Sequence, residues 1–450
     1  MLALPPERDQ QFRRMRDTAR EIFTSALRKA SIENAFARNV HCERRVLRIG
    51  DDLHDLDSYN RVFVVSIGKA AHTMATALEA QLGSSLEGII ASSVDSASQV
   101  RGFRYFRGGH PTPTGESIRA ADAILNSLTA LDSAALAIFM ISGGGSSIVE
   151  RPVDDEISLP DLAATYGTLV HSGAPIAEIN AIRKHLSAVK GGRLAQAAYP
   201  AQQVSILVSD VPDDTPDALA SGPTMPDSTS IQDCERIAAK YNLVDQFPKS
   251  VADLFHQHAL DETPKSDDPA FVRARWWTVL SNKVAIDEAA VAATRAGFAV
   301  EVDNSCDDWP YDKAAAYLLN RLRDLRSKVS RVCLISGGEV TVTVRNGGIG
   351  GRNQQFALAC AEPISGQDIT VLSAGTDGID GNSPATGAVV DGSTILRVGD
   401  RAGDRADGPE AVRHALSSFN AYPLLNALGD TVITGPTGNN LRDLRILLAY

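Results

Sequence analysis

Five short apolar runs, rich in β-branched residues, each end in a serine with glycine or an acid within the next few positions. Val62–Ser66 runs into Ile-Gly-Lys, and Ala137–Ser142 into Gly-Gly-Gly-Ser-Ser. Val204–Ser209 runs into Asp-Val-Pro, Val332–Ser336 into Gly-Gly-Glu, and Ile369–Ser373 into Ala-Gly-Thr-Asp-Gly. Runs this short and apolar are read as strands buried on both faces. Helical stretches separate them, and that alternation belongs to the α/β class. We expect two domains, each with a mainly parallel sheet flanked by helices. In open parallel sheets ligands bind outside the carboxyl ends of the strands, so all five loops belong on a functional edge. Serine and glycine also end strands for local reasons. Five cases, several of them charged, argue instead for a site assembled from strand ends.

The chain has 450 residues, enough for two domains at about 100–200 residues each. A polar stretch over residues 243 to 274 divides it. The expected domains are 1–270 and 271–450, the second opening with a strand Trp276–Leu280, a helix Asn282–Ala296 and a strand Ala299–Val302. Residues 8 to 40 have the spacing of an amphipathic opening helix. The net charge of −11 argues against a nucleic-acid or anionic-membrane partner. The apolar stretch Ala134–Ile141 is far shorter than a membrane span. Met1–Arg16 has no apolar signal region, and the five cysteines are scattered. A cytoplasmic protein in a reducing compartment is expected. No Cys-x-x-Cys or His-Glu-x-x-His supports zinc.

The residues able to carry chemistry fall into clusters. Gly-Gly-Ile-Gly-Gly-Arg-Asn-Gln, residues 347 to 354, offers backbone donors, the fork of Arg352, and Asn353 and Gln354. The run Gln355–Ala361 reads as a helix whose N-terminus would favour an anion. Lys69 follows Ser66 and Gly68 at a strand-to-helix turn, without the residues of a Walker A loop. Ser142, Gly143, Gly144, Gly145, Ser146 and Ser147 form a second nest with three hydroxyls suited to phosphate oxygens. Arg183, Lys184, Lys190 and Arg193 concentrate positive charge in an acidic chain, with Arg183, Ser187 and Lys190 on one face if a helix runs through them. Asp210, Asp213 and Asp214 follow a strand. Asp210, with Asp214, suits Mg²⁺, or Asp210 positions a hydroxyl, while Asp213 or Asp214 would equally cap the next helix. Asp377 and Asp380 lie between glycines, where metal binding and turn formation are both open. Nests, cations and acids together are what phosphoryl transfer requires. Neither Gly-x-Gly-x-x-Gly nor Gly-x-Ser-x-Gly occurs.

At these residues the chain resembles the MOFRL-type (class II) glycerate 2-kinases, over about residues 10 to 445. The resemblance rests on Ser66–Ala70, Gly109–Pro113, Ser142–Ser147, Lys184–Ser187 with Lys190–Leu194, Ser209–Pro212 with Ala220–Thr224, and Gly350–Gln354. Further on it takes in Gly375–Gly381, Gly387–Gly392 and Thr434–Gly438. It implies two α/β domains around a deep cleft that holds the active site, and ATP- and Mg²⁺-dependent phosphorylation of D-glycerate at its 2-hydroxyl. By the resemblance Lys69 and Arg352 hold phosphates or the glycerate carboxylate, the Gly143–Ser147 loop meets phosphate, and Asp210 serves the metal or the acceptor hydroxyl. Some relatives carry the label hydroxypyruvate reductase and sit in tartrate degradation. An NAD(P)H-dependent hydroxypyruvate reductase and a non-catalytic sensor of a phosphorylated metabolite are the alternatives. Gln355 replaces a usual Glu, Asp213 a common Gly, and Asn439 a usual Thr. Small-molecule substrates are expected, and exposed helix faces allow a homodimer.

Overall fold

The apolar runs become inner strands of two six-stranded sheets. The computed structural model describes residues 5–83, 86–96, 98–344, 347–402 and 407–450, so positions 1–4 of the polar N-terminal stretch lie outside it. The first sheet runs in the order Phe103–Arg107, Glu87–Ser92, Arg61–Ile67, Ala135–Ser142, Gln202–Val208, Ala274–Leu280. Every pair in it is parallel. From Arg61–Ile67 the chain winds outward to one edge, then returns to Ala135–Ser142 and winds to the other. The switch in direction falls between these two strands, where ligand crevices form in open α/β sheets. Phe63, Val65 and Ile67 share a buried core with Ala137, Phe139 and Ile141.

The second sheet runs in the order Ala299–Val302, Val332–Gly338, Asp443–Ala449, Ile369–Gly375, Gly387–Asp391, Thr431–Val432. Its first pair is parallel and the other four are antiparallel. Four of the six strands still share one direction. The difference from a simple parallel sheet comes from the last strand of the chain, Asp443–Ala449, which slots between two strands that point the opposite way. Both faces of this sheet are buried. Cys333, Ile335, Leu372 and Ile446 pack on one side; Leu334, Val371, Leu447 and Ala449 pack on the other. This alternation is the strand period of two.

Two compact units result: Ile32–Leu280, and Met1–Ser31 with Ser281–Tyr450. The sequence suggested 1–270 and 271–450. The polar stretch leads into Ala274–Leu280, which closes the edge of the first sheet instead of opening the second block. The single opening helix expected over 8 to 40 is two helices, Pro6–Lys29 and Ile32–Asn39. Ala19, Ile22, Phe23 and Ala26 of the first pack with Ile286, Ala289 and Ile446, so that helix belongs to the unit of the second sheet. A small antiparallel sheet, Val40–Glu43, Val46–Ile49 and Asp52–Asp55, belongs to the other unit. No helix among the described residues is long and apolar enough to cross a membrane.

Phe356, on the helix Arg352–Ala361, is fully buried in the second unit, with the Arg445 guanidinium over its ring at 5.6 Å. Phe356→Ala is expected to cost about 3–5 kcal/mol, the usual loss for a buried ring. Chemical denaturation of the variant would show this as a lower unfolding midpoint.

Candidate active site

The first cluster forms at the switch point of the parallel sheet. Gly68 adopts φ +119°, and a β-carbon there would overlap the Ser142 hydroxyl. The two strand ends are therefore in direct contact. The Lys69 amide donates to the Gly143 carbonyl at 2.9 Å. The Ala70 amide donates to Ser142 Oγ at 3.1 Å, and that hydroxyl donates to the Ile67 carbonyl. Ser66 Oγ donates to the Ala71 carbonyl at 2.8 Å. Ser66 and Ser142 thus tie the turn to itself.

Beyond Gly144, which has φ +82°, a single helical turn Gly145–Ile148 begins. Ser147 Oγ is bonded to the Gly144 carbonyl at 3.4 Å, and Ser146 Oγ meets Ser221 Oγ at 2.9 Å. Each of the three hydroxyls expected to face phosphate has a protein partner. The backbone glycines have another use. A β-carbon on Gly143 would overlap the carboxylate of Asp210. One on Gly144 would stand 3.0 Å from His110 Cδ2, 3.2 Å from Lys69 Cγ and 3.3 Å from Lys69 Cε. Two adjacent glycines thus seat a carboxylate, an amine and an imidazole. Lys69 is exposed, and no ion pair engages it among the described residues.

The resemblance joined Lys69, Arg352, the Gly143–Ser147 loop and Asp210; the structure groups Lys69 and Asp210 at Gly143 and Gly144, while Arg352 belongs to the other unit. Sequence reasoning missed His110 and Ser221. Gly-His-Pro, between a strand and a helix, was the available signal for the histidine. Asp214 lies on an exposed turn. It caps nothing: Thr215 precedes the short helical stretch Pro216–Ser221, without a side-chain cap. Among the described residues no three His, Cys, Asp or Glu side chains cluster to hold a metal. Mg²⁺ that arrives with a nucleotide needs one or two carboxylates beside phosphate and water, so Asp210 fits that demand.

The basic segment is different. Its helix, Ile176–His185, stops before Ser187, so Arg183, Ser187 and Lys190 do not share a helical face. Lys184 is buried and pairs with Asp217 at 2.9 Å and Asp227 at 3.2 Å. Lys190 is buried against Glu150. Glu150 also accepts from Tyr166 OH at 2.7 Å and Ser187 Oγ at 2.6 Å. Burial pulls the Lys190 amine down to about 8, against the attraction of Glu150. The Arg183 guanidinium stacks 4.4 Å over the Tyr166 ring. Arg193 donates to the Asp261 carbonyl at 3.2 Å. These cations meet protein partners.

The second cluster lies in the unit of the mixed sheet. Here four amides of the expected anion nest and its helix already have protein acceptors. Asp380 accepts from the amides of Asn353 at 3.1 Å and Gln354 at 2.9 Å, capping the helix Arg352–Ala361 from outside. The side chains of Asn353 and Gln354 turn to the same carboxylate. Ile349 N donates to Asn420 Oδ1, and Gly350 N to Asn382 Oδ1, each at 2.9 Å. Burial pushes the Asp380 carboxyl up to about 6 in spite of these bonds.

Arg352 remains. Its Nε and Nη2 grip Asp443 at 2.6 and 3.0 Å, and Nη2 reaches Glu339 at 2.7 Å. The two carboxylates hold its guanidinium well above the ordinary arginine range in spite of burial. A cavity of about 510 Å³ opens there, lined by Arg352, Asp377, Gly348, Gly350, Val344 and Ile379 among others. Asp377 accepts from the Ile379 amide at 3.1 Å. Of the three departures, Gln355 is buried and donates to the Leu416 carbonyl. Asn439 donates to the Ala30 carbonyl at 2.9 Å, and Asp213 is exposed.

Comparison with known proteins adds to this geometry. The family described as "Domain of unknown function (DUF4147)" matches residues 18–256, and the "MOFRL family" matches residues 332–443. The D-glycerate 2-kinase of Thermotoga maritima is 34% identical over 395 residues, covering 86% of this chain and 90% of that one. A putative hydroxypyruvate reductase of Agrobacterium vitis is 33% identical over 441 residues, covering 96% and 94%. The crystal structure of a glycerate kinase from Thermotoga maritima superposes with a TM-score of 0.83 at 32% identity, covering 97% of this chain and 100% of that one.

The Glu150–Lys190 pair predicts a specific imbalance. Glu150→Gln strands a buried ammonium and is expected to cost about 3–5 kcal/mol. Replacing both partners, Glu150→Leu with Lys190→Met, should recover most of the loss. Thermal unfolding of the single and double variants checks both outcomes.

Proposed function

The chain belongs to the glycerate kinase family that joins a DUF4147 domain to a MOFRL domain, and on that premise we propose that it phosphorylates D-glycerate at the 2-hydroxyl, with ATP as donor. It is a phosphotransferase. The observation that carries the finer reading is the contrast among its lysines. Lys184 and Lys190 are buried against carboxylates, while Lys69 stands exposed at the switch point beside Asp210. An ammonium that no ion pair engages among the described residues, at a crevice of strand ends, is suited to an anionic substrate.

In this reading the 2-hydroxyl oxygen forms a bond to the γ-phosphorus as the bond to the β-bridging oxygen breaks, releasing ADP. Lys69 and Arg352 hold phosphate oxygens or the glycerate carboxylate. The fixed posture of Arg352 between Asp443 and Glu339 lowers the cost of orienting it. Backbone amides of the Gly143–Ser147 turn meet phosphate. Asp210 would hold Mg²⁺, which neutralises charge on the transferring phosphoryl group. Asp214, on its exposed turn, is left out of this set. The five cysteines are free thiols, which fits a cytosolic enzyme.

The name of the Agrobacterium vitis relative keeps one rival in view, reduction of hydroxypyruvate with a nicotinamide. One purified sample separates the two. ATP, Mg²⁺ and D-glycerate should yield 2-phosphoglycerate, while NAD(P)H with hydroxypyruvate should be left unconsumed; the reverse pattern would overturn the proposal. Lys69→Ala should lower kcat/KM by about 10²–10³-fold, the scale of losing a preorganised charge contact, with an unchanged melting temperature. Gly143→Ala should do similar damage, because its new methyl group displaces Asp210. Near-normal turnover by the lysine variant would refute the assignment of Lys69.

A further inference from the structure

His110 is placed by the fold with the same care as Lys69. Gly108 lies so close to the Ile148 carbonyl that a β-carbon would overlap it, which anchors this strap to the end of the Gly145–Ile148 turn. The amides of Gly109 and Thr114 both donate to the buried Ser117 hydroxyl, at 3.0 and 3.1 Å. The His110 ring then presses its Cδ2 edge, next to Nε2, against Gly144, where the Lys69 stem also rests. The next glycine, Gly143, seats Asp210.

We propose that His110 is the base that accepts the proton of the acceptor hydroxyl. This rests on the kinase reading above. As the hydroxyl oxygen bonds to the γ-phosphorus, its proton passes to the neutral imidazole, the bond to the leaving ADP oxygen breaks, and the proton is later released to water. Three features fit that role. The residue is exposed, so the proton has an exit. Burial of part of the ring and the nearby Lys69 charge both push its pKa below the ordinary histidine value, which favours the neutral imidazole. A base titrating near the working pH is the effective kind, and His110 leaves Asp210 to serve the metal.

The charged group that bears on the ring is Lys69, from another element, while Asp210 sits against the next glycine, Gly143. The test uses the full-length enzyme. Wild-type kcat/KM for D-glycerate should fall on the acid side with an apparent pKa below about 6.5, the unperturbed histidine value. His110→Gln should lose kcat by about 10²–10³-fold, in the range for removal of a general base, and should lose that acid limb. Its KM values for ATP and glycerate should change little, and its melting temperature should hold. By NMR, the His110 ring should titrate at higher pH in Lys69→Met than in wild type, a coupling that bulk packing does not produce.

A His110→Gln enzyme with normal kcat and an intact acid limb would overturn the assignment. So would one that only raises KM, since the imidazole would then be a binding group. A wild-type protein that makes no phosphoglycerate sinks the kinase reading, and this inference with it. An active wild type beside an unaffected variant sinks the inference alone.

Discussion

One buried carboxylate organises the strand-end loop of the parallel-sheet unit. Glu150 lies two residues beyond the turn Gly145–Ile148 and accepts from Lys190, Tyr166 and Ser187. Lys190 begins the tight passage through Gly191 and Gly192, whose amides donate to the carbonyls of Ser221 and Gly222. Ser221 returns its hydroxyl to Ser146. A closed circuit thus runs from the loop, through a buried ion pair, and back to the loop. Burying two charges is costly, and such a pair is rarely a net source of stability. Its value lies in specificity: a displaced loop would strand one of the charges. Ala220 and Ser221, both at positive φ, are held in that uncommon backbone region by the same circuit.

The mixed-sheet unit reaches a comparable arrangement by other means. Its last strand enters against the direction of its neighbours, so its first residue arrives at their carboxyl ends. Asp443 pairs in register with Gly338 on one side and Gly375 on the other. An antiparallel insertion therefore delivers a carboxylate to an edge where parallel strands deliver only their last residues. That carboxylate fixes Arg352. The amides of the following helix, the usual seat for an anion, are occupied by Asp380. Arg352, Asp380 and the glycines at the start of that helix all line the cavity.

Much of the fold was legible because buried strands announce themselves in apolar runs. All five serine-ended runs are strands, and their loops lie on carboxyl edges. Asp443–Ala449 escaped notice although it is wholly buried, because polar Asp443 and Arg445 interrupt its run. Arg445 is buried through a bond to the Gly337 carbonyl and a stack on Phe356, contacts that join residues far apart in the chain. The roles of Lys184 and Lys190 were illegible for the same reason. A run of positive charge looks alike whether it faces solvent, a ligand or buried carboxylates, and Glu150, Asp217 and Asp227 lie 33 to 43 residues from their partners. His110 was visible as a motif, but its meeting with Gly144 is a matter of topology.

The two glycine-rich loops look interchangeable in sequence and do opposite work. Around Gly350 the amides of Ile349, Gly350 and Asn353 are closed by Asn420, Asn382 and Asp380. Around Gly143 and Gly144 the missing β-carbons admit the side chains of Asp210, Lys69 and His110 instead. The difference follows from where each loop stands in its sheet. At the switch point of a parallel sheet, two adjacent strands send their connections to opposite sides, and the gap between them is lined by backbone. Side chains can enter that gap only over residues without a β-carbon. In the mixed sheet the antiparallel strand fills the corresponding gap, so the groups there pair with one another. Lys184 and Lys190 are held in the same way, each bonded to a buried carboxylate. Among the described residues no ion pair engages Lys69, which sets it apart from that denser cluster of positive charge further along the chain.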